Sequence, residues 1–292
     1  MNFKNKRILF QSLAALGLNI DLISLVRGRI NEGITKNVCV PAMNCSSCPA
    51  AIATCPIGAV QNALISVRSG LNQASRNLAI MAIFSMIFVG QAVGRLPCGW
   101  FCPFGLLQDV LYKVPVRKFK IPDFLTALRL PVFALTVFLL PALLVDSYGN
   151  GALWFCKWFC PAGTLESWVP QFIVNPDLFS GMMNRLALKI FILILFLAWM
   201  SVSRRPFCKV LCPIGLSLGF FNKRSIFRVK VDTNRCLKCN ACQRNCPASI
   251  RVYENPNSSS CFRCLECEDV CPVSCVSHGF KLEARKNPST GT

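Results

Sequence analysis

"CGWFCPFG" occupies residues 98–105, and two near copies follow it, "CKWFCPAG" at 156–163 and "CKVLCPIG" at 208–215. All three read C-x3-C-P-x-G, and each lies close to an apolar stretch. Proline directly after a cysteine suits the first turn of a helix, because its missing N–H is one the helix leaves unpaired anyway and its fixed φ is already helical. The second cysteine of each motif is therefore predicted at a helix N-terminus, where the aligned peptide dipoles favour a thiolate. Two such motifs brought together supply four thiolates, the number a [4Fe-4S] cube requires.

Working outward, the chain has 292 residues, is 53% hydrophobic and has a positive mean hydropathy, too apolar for an ordinary soluble domain. Four stretches, 8–26, 78–93, 130–145 and 186–202, are apolar enough to be read as helices crossing a bilayer, which takes about 20 residues. The first carries Asn19 and Asp21; it also follows Lys4, Lys6 and Arg7 as a signal peptide would, but no small-residue cleavage site comes after it. A formal charge of +19 in a soluble protein would point to nucleic acid. Here 24 of the 32 basic residues fall in 1–7, 94–129 and 204–292, so the excess is explained by cytoplasmic loops and no nucleic-acid partner is expected. The expectation is an α-helical membrane protein with four transmembrane helices in the inner (cytoplasmic) membrane, in contact with lipid, both termini cytoplasmic. "CPIG" at 55, "CPFG" at 102, "CPAG" at 160 and "CPIG" at 212 have one apolar span in each interval. That alternation predicts the copies at 55 and 160 outside and those at 102 and 212 inside.

The character changes near residue 225. A membrane domain is expected over 1–225, a cysteine-rich α+β domain over 226–283 and a disordered tail over 284–292. "CLKCNACQRNCP" at 236–247 and "CFRCLECEDVCP" at 261–272 are both C-x2-C-x2-C-x3-C-P, the spacing of bacterial-type two-cluster ferredoxins. In that spacing three cysteines of one run and the last of the other hold one cube. Cys236, Cys239, Cys242 and Cys271 form one predicted set; Cys261, Cys264, Cys267 and Cys246 form the other. A pair of zinc sites would leave the third cysteine of each triplet and the trailing C-P without a use. Cys275 is left over, and a packed place beside the cluster is expected for it. The sole histidine, His278, excludes a bis-histidine haem.

The inner predicted set is Cys98, Cys102, Cys208 and Cys212, with reduced thiols or a transient metal site as the alternative. On the outer side Cys156 and Cys160 are expected to meet Cys48 and Cys55, with Cys45 as the substitute and Cys39 nearby. A pair of disulfides is the alternative there, since an outward loop can face an oxidising compartment. Trp100, Trp154 and Trp158 are expected at the membrane boundary. Asp21, Asp109 and Glu166 are candidates for proton exchange at a quinone site.

At residues 75–275 the chain resembles the NapH/MauN type of membrane-bound polyferredoxin, in which C-x3-C-P follows the second and fourth spans and a double-cluster ferredoxin ends the chain. Cys98, Cys102, Cys208 and Cys212 match its two membrane motifs. The resemblance implies a quinol-linked electron-transfer subunit of an oxidoreductase, such as a quinol dehydrogenase, with quinone and redox-protein partners. The third motif at Cys156 and Cys160 and the block "CSSCPAAIATCPIG" depart from that pattern and resemble polyferredoxins of anaerobes. The expected function is membrane electron transfer through two [4Fe-4S] clusters in the ferredoxin domain and two in the membrane domain, relayed to a quinone pool or an extracytoplasmic partner. The alternative is a cupric reductase or metal-cofactor assembly factor that uses the membrane cysteines.

Overall fold

The computed structural model describes residues 2–30, 33–66, 73–139, 153 and 155–280. Its body is built on a repeated unit. α4 (Gln73–Val93) ends at a turn and is followed by α5 (Leu96–Trp100), by Cys102 as N-cap, and by α6 (Pro103–Leu111). The same order returns as α12 (Met183–Val202), α13 (Pro206–Val210), Cys212 and α14 (Pro213–Phe221). Between them lies a shorter version, the π-helical α9 (Phe155–Phe159), Cys160 as N-cap and α10 (Pro161–Gly163), which runs through a π turn, Thr164–Trp168, into α11 (Val169–Val174). Proline is the first helical residue after all three cysteines, the place where it costs no hydrogen bond. The remaining α-helices of the body are α1 (Phe3–Leu18), α2 (Leu22–Val26), α3 (Pro56–Ser66), α7 (Asp123–Ala127) and α8 (Arg129–Phe133), the last continuing as a π turn over Ala134–Leu139.

Among the described residues one helix, Met183–Val202, is long and apolar enough to cross a membrane; Asn77–Val93 and Phe124–Leu139 are apolar but shorter. Residues 140–145 of the expected third span, Trp154 and the expected tail at 284–292 lie outside the described residues. The first expected span is not one helix. It breaks at 19–21, where Asp21 turns from the helix and caps α2, its carboxylate accepting from Ser24 N–H at 3.1 Å and Ser24 Oγ at 2.6 Å. An aspartate competes with the helical backbone in this way, and hydropathy alone does not register it.

Large apolar side chains point outward from α1 (Leu13, Leu16), α4 (Phe84, Phe88) and α12 (Phe191, Ile194), while Gln11, Gln61, Arg95, Gln108 and Lys189 are buried. These outward apolar faces surround a core that is itself largely apolar, with the buried polar groups set into it. The C-terminal unit, whose cysteine spacing is ferredoxin-like and which is called the ferredoxin unit on that ground, begins at β1 (Phe227–Val231), which pairs antiparallel with β2 (Val276–Phe280) from Phe227↔Phe280 to Val231↔Val276. Two short helices, α15 (Ala241–Asn245) and α16 (Glu266–Asp269), lie on the third-to-fourth cysteine segments of the two runs.

Candidate metal centres

The first centre joins the two full repeats. Cys98 lies in α5 and Cys208 in α13, while Cys102 and Cys212 cap α6 and α14, and all four are buried. The Cys212 sulfur accepts from Gly215 N–H at 3.4 Å, as an N-cap does. Gln108, on the buried side of α6, donates from Nε2 to Cys208 Sγ at 3.0 Å. Such bonds stabilise a more electron-rich sulfur and are one of the means by which a protein sets a cluster's potential.

A second centre surrounds a cavity of about 430 Å³ lined by Cys45, Cys55, Cys156 and Cys160. Cys48, the expected ligand, is not among its lining. It packs with Leu25, Ala50 and Ala51, its Sγ 3.8 Å from Asn19 Oδ1. The choice is made from across the fold: Glu166 accepts Cys45 N–H at 2.7 Å, and Ser167 and Gln171 both donate to Ser47 O, which turns Cys45 toward the third motif. Cys39 is not among the cavity lining; its sulfur is 3.5 Å from Thr54 Oγ1. No two of the nineteen cysteines are joined by a disulfide in this structure.

The two centres were expected at opposite faces of a bilayer, but they occupy one core. Met43 lines the cavity of the second, and its sulfur accepts from Cys212 Sγ at 3.6 Å, so one methionine side chain separates them. The alternation of motifs and spans assumed that each motif ends a full crossing. Instead the chain after Cys160 packs back along α12, where Trp168 covers the buried Lys189, Nζ 3.9 Å from the ring centroid. Lys189 is therefore a buried cation close to Cys45, Cys156 and Cys160.

In the ferredoxin unit, Cys246, Cys261, Cys264 and Cys267 line one small cavity. Cys236, Cys239, Cys242 and Cys271 line another, which Cys275 also borders, its Sγ 3.4 Å from Cys271 Sγ. Burial pushes the Cys261 thiol up to about 11 and that of Cys264 up to about 12. Thiols so buried become thiolates only beside a strong cationic group, and iron is one. The donor sets thus fit iron–sulfur clusters in kind and number. Among the described residues no three Cys, His, Asp or Glu side chains converge tightly enough for a single metal ion.

The three acids considered for proton exchange each make a defined contact in the fold. Asp21 caps α2, and Glu166 holds the Cys45 backbone. Asp109 accepts from Arg205 at 2.6 Å and from Arg7 at 2.9 Å; burial works against its charge, but the two guanidinium groups outweigh it and hold the carboxyl below its usual range. Trp100, expected at a membrane boundary, donates to Arg263 O at 3.0 Å and so touches the ferredoxin unit. Sequence reasoning missed Gln108, Lys189, Arg95 and Arg205; for the arginines a signal existed, since each stands three residues before the leading cysteine of its motif.

A 4Fe-4S binding domain profile matches residues 77–122, 126–175 and 186–234, each match containing one C-x3-C-P-x-G motif. An uncharacterized protein of Methanocaldococcus jannaschii is 31% identical over 55% of this chain and 54% of its own length. The ferredoxin-type protein NapH of Haemophilus influenzae is 28% identical over 67% of this chain and 62% of its own. The methylamine utilization ferredoxin-type protein MauN of Methylorubrum extorquens is 28% identical over 58% of this chain and 51% of its own. The chain thus spans between about half and under two thirds of the length of these relatives. No solved structure matches. Three matches to an iron–sulfur domain, each seated on a cysteine-capped helix of the repeated unit, together with these relatives, place the chain in the NapH/MauN family of ferredoxin-type 4Fe-4S proteins.

Proposed function

We propose that the protein is a multi-span carrier that passes electrons through four [4Fe-4S] clusters in the cytoplasmic membrane, between a cytoplasmic ferredoxin unit and a quinone pool or an extracytoplasmic redox partner. The observation that carries this reading is the contiguity of the four cysteine sets. Cys45, Cys55, Cys156 and Cys160 are one Met43 side chain from Cys98, Cys102, Cys208 and Cys212. A Cβ on Gly99, between the cysteines of that set, would come within 2.5 Å of Phe262 O, inside the next set. The last set ends at Cys239, which is exposed and open to a partner. The outward apolar faces of α1, α4 and α12 and the cytoplasmic bias of basic residues support the membrane placement. When bound, the clusters supply one-electron carriers; the chain's own residues hold them in line, keep water from the inner sets and leave one end accessible.

Anaerobically prepared protein should contain about 16 iron atoms, four per cube. Cys160→Ser should remove the signal of the Cys45, Cys55, Cys156 and Cys160 set and abolish exchange with a quinone or outer-face partner, with both ferredoxin signals retained. A wild-type rate in that variant would reduce the function to ferredoxin chemistry on a helical anchor. A second reading, copper handling, draws on the thiol–thioether pair of Cys212 and Met43, soft ligands of the kind Cu(I) prefers. Copper in the anaerobic preparation in place of iron at that set would favour it.

A further inference from the structure

The two full repeats are locked together by exchanged arginines. Arg95, three residues before Cys98, donates from Nη2 to Cys208 O; Arg205, three residues before Cys208, donates from Nη1 to Cys98 O at 3.0 Å. Each motif's arginine thus holds the other motif's leading cysteine, and neither side chain has any exposure. The glycine that closes C-P-x-G makes room for the exchange. A Cβ on Gly215 would come within 2.5 Å of Arg95 Nη2; one on Gly105 would meet Cys98 O at 3.2 Å and Arg205 Nη2 at 3.5 Å. The third motif differs: Leu153 stands three residues before Cys156, and a Cβ on Gly163 would meet nothing closer than 3.6 Å. Arg205 also sits in the left-handed region at φ 50°, a conformation that costs a non-glycine residue energy and persists where the surroundings impose it.

Both guanidinium groups then meet on one ring of the ferredoxin unit. Arg95 Cζ lies 4.5 Å and Arg205 Cζ 5.4 Å from the centroid of Phe262, which stands between Cys261 and Cys264. Arg95 Nη1 adds a bond to Ser259 O at 3.0 Å. We propose that Arg95 and Arg205 are positioning residues that form a swapped clamp, holding the Cys98, Cys102, Cys208 and Cys212 set in register, docking the neighbouring ferredoxin set on it through Phe262, and raising the reduction potential of the cluster between them. The inference rests on reading those four cysteines as cluster ligands. A cube held by four thiolates is an anion, and taking up one electron adds one negative charge. Arg95, a buried cation, therefore stabilises the reduced form more than the oxidised one, and Arg205 adds to it by offsetting the carboxylate of Asp109 with which it is paired.

The test is an EPR-monitored redox titration of anaerobic protein in detergent, with iron analysis first. Arg95→Gln and Arg205→Gln should each lower the reduction equilibrium of that cluster about tenfold, about 59 mV for one electron. Gly215→Ala should do the same with both arginines present, by displacing Arg95, whereas Gly163→Ala should leave every potential unchanged. Arg95→Lys should recover part of the shift, because it restores the charge without the paired bonds. Arg205 also holds Asp109, so should its variant not fold, Arg95→Gln and Gly215→Ala carry the test. Wild-type potentials in both of those variants would overturn the clamp. Wild-type protein with iron for the other three sets only would instead overturn the cluster reading at this set, and the clamp with it.

Discussion

The two cysteine runs of the ferredoxin unit share one backbone and have opposite surroundings. Positive φ recurs at Lys238 and Arg263 (51° and 52°), Asn240 and Leu265 (60° and 62°) and Ser249 and Ser274 (58° and 49°), each pair 25 residues apart. Left-handed backbone at lysine, arginine and leucine is uncommon, so the ligand spacing imposes the same chain path twice. Yet Leu237 is 67% exposed, and its counterpart Phe262 is 1% exposed between two arginines. Lys238 and Arg244 face outward where Arg263 is buried and Asp269 replaces a cation. The cysteines set the local path, and the residues between them decide which set is docked and which is open.

That contrast can be broken by substitution at paired positions, beginning where the effect should be greatest. Phe262→Ala should cost about 3–5 kcal/mol in denaturant unfolding in micelles, as for other buried phenylalanines. Leu237→Ala should stay within about 0.5 kcal/mol. Equal losses would mean that both runs are docked alike.

Glu266 is the counterpart of Ala241 and binds Arg7 at 2.8 Å and Arg204 at 2.6 Å. Glu266→Ala should cost about 3 kcal/mol, because it leaves the buried Arg7 short of a partner. Faster hydrogen exchange across 204–206 and 266–269 would report the loosened junction; unchanged exchange would count against it. Acid should act here through Asp109. Its folded pKa lies below the unfolded value of about 3.9, so its contribution is fully present above that value and is lost as pH falls through the depressed one. Junction exchange rates corrected for intrinsic pH dependence should therefore be flat from pH 8 to about pH 5.

Trp100→Phe removes the bond to Arg263 O, which has no equivalent at Lys238, and should cost about 1 kcal/mol in the same unfolding assay. Smallest in stability is Lys238→Glu, expected within about 0.5 kcal/mol. It should nonetheless alter the salt dependence of electron exchange with a charged redox protein, because it changes the field beside the exposed Cys239.

Much of the local structure was legible because it depends on near neighbours. Proline after cysteine implied the N-caps at Cys102, Cys160 and Cys212, and the cysteine spacing implied the two runs. What was not legible depends on residues far apart in the chain. That Cys45 rather than Cys48 lines the cavity of the third motif goes with a bond from its N–H to Glu166, more than a hundred residues away. The break after α1 turns on one aspartate choosing a capping role inside an apolar run. The surroundings of Cys156 and Cys160 could not be read from hydropathy, because the segment that follows them packs along α12 beside Lys189. The arginine exchange was written in plain spacing, but its meaning appears only once the two repeats face each other.

The single methionine between the two buried cysteine centres also bears on membrane voltage. A charge that crosses a whole bilayer exchanges about 2.3 kcal/mol with each 100 mV of potential. In a protein embedded as proposed, a hop past Met43 traverses only a small part of that drop. Most of the electrical work then falls on the steps into and out of the pair, and the exchange between the two centres should run at nearly the same rate in energised and de-energised membranes.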